Sequence, residues 1–126
     1  MSDITPLVDK GSQVIHSYGA GGFKISGTRY DGSVLVTPKR VNAWCVRQMS
    51  ELTAESFDAV LDLEVPVDLI FVGCGGTILP LPKGLRQTLR QRGVVLELMD
   101  TGAACRTYNI TMAEGRSIAA ALIAIP

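Results

Sequence analysis

Along the first third of the chain, apolar residues alternate with polar or small ones; further on they fall at helical spacing. Val14 to Tyr18, Phe23 to Ile25 and Ser33 to Pro38 read as short strands. Phe23 and Ile25, and then Val34 and Val36, follow the period of two expected of a half-buried strand. Turn chemistry separates these runs at Gly19-Ala20-Gly21-Gly22, Gly27 and Asp31-Gly32. The Asp31-Gly32 pair, after Arg29-Tyr30, predicts a hairpin turn because both residues tolerate positive φ. An antiparallel β unit is therefore expected, and Asn42 to Val46 can add a short strand around Trp44.

From residue 53 the pattern changes. Thr53 is a suitable helix N-cap, and Phe57, Val60 and Leu61 give Ala54 to Leu63 one apolar face. Asp68 to Val72 is a strongly apolar strand that breaks at Gly73-Cys74-Gly75-Gly76. Pro82 can start a helix that runs to about Arg92 and stops at Gly93. Val94 to Met99 is another strand, a helix capped by Asp100 or Thr101 runs to about Ala113, and Ser117 to Ile125 is a last, buried strand. The order helix, strand, helix, strand, helix, strand implies right-handed crossovers and a largely parallel sheet covered by helices. The expected fold class is α/β: one three-layer domain over residues 1–126, with a mixed central sheet and an N-terminal antiparallel β unit. Residues 1–12 are expected to form a loosely ordered arm.

Composition narrows the function classes. The chain has 126 residues, within the range of one domain, and 47% of them are apolar, enough for one core. Twelve basic and twelve acidic residues cancel, which argues against a nucleic-acid binder or a protein held on an anionic membrane by charge. Cys45, Cys74 and Cys105 are three in number and widely spaced, and His16 is the single histidine. That argues against a disulfide framework or a structural zinc site, and reduced thiols point to a cytoplasmic location. No apolar run reaches the roughly 20 residues of a spanning helix, so no membrane insertion is expected. The N-terminus reads as neither a signal peptide nor a transit peptide.

Two junctions carry candidate chemistry. Gly73, Gly75 and Gly76 follow a strand at the position where open α/β sheets bind ligands, and their backbone N–H groups could meet an anion. The third glycine and immediate helix of a dinucleotide fingerprint are missing, so a tight turn that needs positive φ is the better account of the loop. Asp100, Thr101, Arg106 and Asn109 stand at a strand-to-helix junction and could hold a carboxylate or phosphate. Their structural reading is a helix cap with Arg106 paired to a buried carboxylate. If a small-molecule site exists, these two junctions are expected to be neighbours. A Cys–His pair or a Ser–His–Asp triad would need His16 to meet its partner across the fold, and a small buried thiol is the simpler account of Cys105. No catalytic residue, metal site or cofactor is assigned.

Charge is segregated. Span 51–64 is acidic, with Glu51, Glu55, Asp58 and Asp62 forming one stripe at helical spacing. Span 83–92 is basic, with Lys83, Arg86 and Arg90 spaced likewise. These are either two solvated faces or complementary surfaces for a protein partner or a homodimer.

Several segments also resemble a named family. They are Gly21 to Ile25, Asp31 to Val36, Trp44, Asp68 to Gly73 and, above all, Met99-Asp-Thr-Gly-Ala-Ala-Cys-Arg-Thr-Tyr-Asn109 with Ala113 to Arg116. Together they are similar to the Mth-type domain-of-unknown-function family, over about Val14 to Ile125. That family includes a mitochondrial assembly factor for respiratory complex I and an adipogenesis-associated cytosolic protein. The resemblance implies a three-layer fold around a mixed sheet, no established enzyme activity and no established cofactor. The expected function is thus a binding or assembly protein with a still unidentified protein partner, assisting a respiratory or membrane complex. The alternative is a small-molecule or anion-binding domain, enzymatic or not, built on Gly73 to Gly76 and Asp100 to Asn109.

Overall fold

The computed structural model describes residues 11–126, so most of the expected N-terminal arm over 1–12 lies outside the described residues. The chain opens with a three-stranded antiparallel sheet, β1 (Ile15–Gly19), β2 (Gly22–Ile25) and β3 (Thr28–Asp31), in spatial order β1-β2-β3. Its two hairpins turn at Ala20-Gly21 and Ser26-Gly27, where all four residues have positive φ. That is the mirror-image turn that matches strand twist. The Asp31-Gly32 pair is not a hairpin turn: it carries the chain from β3 to a strand of a different sheet. The missed strand β3 explains the difference, because Thr28 and Arg29 are exposed and Tyr30 is only half buried, so no apolar alternation marks it.

The second sheet has five strands, β4 (Val34–Thr37), β5 (Arg40–Ala43), β6 (Leu69–Gly73), β7 (Val95–Met99) and β8 (Ile118–Leu122), in the order β5-β4-β8-β6-β7. Strands β6, β7 and β8 are parallel, while β4 pairs antiparallel with both β8 and β5, so the sheet is mixed. The strand expected over Asn42 to Val46 begins earlier, at Arg40, because the tight turn after Thr37 sets the pairing Thr37–Arg40. Strand β8 lies at the centre and is buried throughout as Ile-Ala-Ala-Ala-Leu. Its small side chains let layers approach closely on both faces.

Helix α3 (Thr101–Ala113) covers one face of this sheet. Thr101, Ala104, Cys105, Tyr108, Thr111 and Met112 are buried at spacings of three and four, one helical face. They pack with Val34, Val36, Phe71, Ala120 and Leu122 from the sheet and with Ile15, Phe23 and Ile25 from the small sheet. On the other face, Leu35, Ile70, Val72, Leu96, Ala119 and Ala121 meet Trp44, Phe57, Val60, Leu85 and Leu89. Trp44 anchors this side by donating its indole N–H to the Ser56 carbonyl at 2.7 Å.

The helices on that second face are shorter than the pattern predicts. Residues Ala54–Phe57 form a 3-10 turn, and α1 is a single α-turn, Asp58–Leu61. The acidic stripe therefore does not lie along one helix; Glu51 accepts from the Arg47 backbone N–H at 2.7 Å instead. Helix α2 covers Leu85–Gln91 and is capped by Gly84, so Pro82 lies in the preceding loop. Leu81 in that loop packs partly against the core.

Candidate functional site

The two glycine- and aspartate-marked junctions do meet. Both follow neighbouring parallel strands, β6 and β7, so their ends lie side by side. The Thr101 hydroxyl accepts from Gly75 N–H at 2.9 Å and donates to the Ile123 carbonyl at 2.7 Å, while Thr101 N–H donates to the Gly75 carbonyl at 2.9 Å. A Cβ on Gly73 would stand 3.0 Å from Thr101 Cα and 3.0 Å from Leu122 Cδ2, so glycine permits the close approach of strand and helix. Gly75 has φ +107° and supplies the turn, and Gly76 is exposed. The polar groups of this junction serve the fold. Asp100 Oδ1 caps α3 by accepting from Ala103 N–H at 2.8 Å. Asn109 grips β1 with both ends of its amide, accepting from Ile15 N–H at 3.0 Å and donating to the Ile15 carbonyl at 2.8 Å. Arg106 is exposed and enters no ion pair among the described residues, which corrects the expectation of a buried carboxylate partner. Its guanidinium lies beside Gly102, against which the Tyr18 hydroxyl is packed. No sequence signal pairs Tyr18 with Gly102, because they are brought together by docking of β1 on α3.

The thiols do not form a reactive site with His16. Cys74 and Cys105 are buried, Cys45 is exposed, and His16 is exposed on β1. Burial pushes the Cys105 thiol up to about 12, outweighing the lowering influence of the neighbouring Arg106, and Asp100 raises it further. A thiol held protonated is a poor nucleophile. No group of three or more potential metal ligands occurs among the described residues.

The charged faces lie close together in one chain. Asp62 and Arg92 form an ion pair at 3.7 Å. Of the basic residues, Arg86 is tied down, donating to the Leu96 carbonyl at 2.6 Å. Lys83 and Arg90 are exposed, with no ion pair among the described residues, as are Glu55 and Asp58. Lys83, Arg86 and Arg90 line an open groove of about 680 Å³, whose apolar wall is Pro80, Leu81 and Leu98. No carboxylate among the described residues lines it. Just before it, Ile78 and Leu79 are 60% and 45% exposed. The sequence held a signal for this feature that the reading of charge alone missed. Ile78-Leu79-Pro80-Leu81-Pro82 is an apolar run that its prolines bar from a central strand, so part of it had to face solvent.

Comparison with known proteins places these features in a family. A family model described as "Protein of unknown function (DUF498/DUF598)" matches residues 15–123. The chain is 38% identical over 112 residues to NADH dehydrogenase (ubiquinone) 1 alpha subcomplex assembly factor 3 of Rattus norvegicus, covering 89% of this chain and 60% of that protein. It thus spans about 60% of the length of such curated relatives. Among solved structures, a protein described as an outer membrane protein of Bartonella henselae superposes with a TM-score of 0.83 at 32% identity, covering 92% of this chain and 98% of that one. A Mth938-like domain from Bordetella pertussis superposes with a TM-score of 0.78 at 26% identity, covering 97% of this chain and 92% of that one. The matched span runs from β1 to one residue beyond β8 and takes in the whole Gly73–Thr101 junction, so this chain belongs to the DUF498/DUF598 family and has its Mth938-like α/β fold.

Proposed function

We propose that this protein is a binding protein that assists the assembly of a larger protein complex, and that it receives its partner in the groove between the Thr77–Pro82 loop and α2. The observation that carries this reading is the groove itself. Lys83 and Arg90 stand exposed beside an apolar wall, with no facing carboxylate among the described residues and with Ile78 and Leu79 in solvent next to it. An exposed apolar patch rimmed by one sign of charge is the surface expected of a protein-recognition site. The matching partner is a segment carrying carboxylates around apolar side chains. The name of the rat relative supports a role in assembling a respiratory complex. Three free cysteines, two of them buried, fit a reducing, cytoplasm-like compartment. A homodimer joining Glu55 and Asp58 of one copy to the basic groove of another would use the same complementarity.

The test is affinity capture by the tagged protein, with bound respiratory-complex subunits quantified by mass spectrometry. Capture by the wild type should fall as salt is raised and should be lost in the Lys83→Glu/Arg90→Glu variant, both positions being exposed and free of structural bonds among the described residues. Capture unchanged in that variant would remove the groove from the account. Absence of any such subunits from the wild-type capture would remove the assembly role. Sedimentation of the isolated protein reads the homodimer directly.

A further inference from the structure

A second concavity lies at the opposite end of the central sheet. It has a volume of about 370 Å³ and is enclosed by the β4–β5 turn, the stretch from Leu63 to Val67 and the connection from α3 to β8. It shares no residue with the partner groove. Its floor is apolar, with Val67, Met112 and Ile118 all buried. Among the described residues its rim holds three cations, Lys39, Arg40 and Arg116, against one carboxylate, Glu64. All three cations are exposed and enter no ion pair among the described residues. The C-terminal end of α3 also faces this region and contributes roughly half a negative charge. That lowers the positive excess of the rim without cancelling it.

We infer that this cavity is a binding site for a small amphipathic organic anion, whose apolar body rests on Val67, Met112 and Ile118 and whose anionic head is held by Arg40 and Arg116. The volume lies within the range of small-molecule pockets, about 300 to 1,000 Å³. Guanidinium groups present paired N–H donors that match the two oxygens of a carboxylate. Charge and shape therefore select together. An apolar cation of equal length meets the same floor but a repelling rim, and a bare inorganic anion gains nothing from the floor.

The probe is octanoate, with octylammonium as its charge-reversed counterpart, titrated into the full chain and followed by amide chemical shifts. Octanoate should shift the amides of residues 37–40 and 115–118 saturably, and octylammonium should not. The Arg40→Gln/Arg116→Gln variant should weaken octanoate binding about tenfold or more while its spectrum elsewhere stays that of the native fold. No saturable shift in these amides up to about 10 mM octanoate, an affinity too weak for a built site, would overturn the proposal. So would equal binding of octanoate and octylammonium by the wild-type protein, a comparison that needs no variant to fold.

Discussion

The Arg86 guanidinium donates to the main-chain carbonyl of Leu96 at 2.6 Å, and this bond covers part of an open sheet edge. Among the described residues, strand β7 pairs only with β6. The Val95 N–H donates to the Asp68 carbonyl and the Met99 carbonyl accepts from Cys74 N–H. By the alternation of a parallel ladder, Leu96 and Leu98 then direct their backbone groups outward. An exposed edge is a template for association unless something blunts it. Arg86→Ala is therefore expected to lower stability by about 1–2 kcal/mol, the scale of one charge-assisted bond, and to cause concentration-dependent association. Urea unfolding and light scattering check both. A variant as stable and as monomeric as the wild type would show that the bond contributes nothing.

Thr101 is fully buried and its hydroxyl joins Gly75 to Ile123. Thr101→Val keeps the shape but leaves a buried N–H and a buried carbonyl without that partner, at a cost of about 1–3 kcal/mol. Thr101→Ser keeps the hydroxyl and should lose much less. Paired denaturation curves decide between them, and a greater loss in Thr101→Ser than in Thr101→Val would mean that the γ-methyl group, not the hydroxyl, matters.

Asn109 holds the first strand of the small sheet on α3 through Ile15. Asn109→Ala should loosen β1 while leaving the five-stranded sheet intact, since no described bond from Asn109 reaches that sheet. Amide hydrogen exchange should quicken at Ile15 and its β2 neighbours and change little in β6 and β8. Uniform quickening across the chain would instead indicate global destabilisation.

The thiols give a pH prediction. The Cys105 pKa is raised from 9.0 to about 12 in the folded state, chiefly by burial. The folded protein thus holds this proton more tightly than the unfolded chain. The resulting stability is fully present below about pH 9 and is lost as pH rises toward 12. Burial raises the Tyr108 phenol as well, with the same sign. Unfolding free energy should fall across this alkaline window, and Cys105→Ala should flatten part of the slope. Thiol labelling at neutral pH should be fast at Cys45 and slow at Cys74 and Cys105 until denaturant is added. Rapid labelling of all three would contradict the burial.

Long periodic segments were legible in the chain by themselves. The α3 span follows from one buried face at helical spacing and the β6 and β8 strands from continuous apolar runs bounded by turn residues, while the cap was narrowed to Asp100 or Thr101. The adjacency of the Gly73 and Thr101 junctions was expected only if they shared a ligand site; the pairing of β6 with β7 is what makes them neighbours. The turn after β3 was not legible. Asp31-Gly32 has the local chemistry of a hairpin, and only the packing of two separate sheets decides that it is a crossing. The acidic segment fell short of a helix because Trp44 and Phe57 pack there, with ring centroids 5.7 Å apart, and Trp44 takes the Ser56 carbonyl. The roles of Arg86, Arg106 and Asn109 were likewise open in the sequence. Arg86 and Asn109 find their bonds across 10 and 94 residues of chain, and Arg106 stays in solvent. Residue type sets what a side chain can bond; the tertiary structure alone decides what stands within reach.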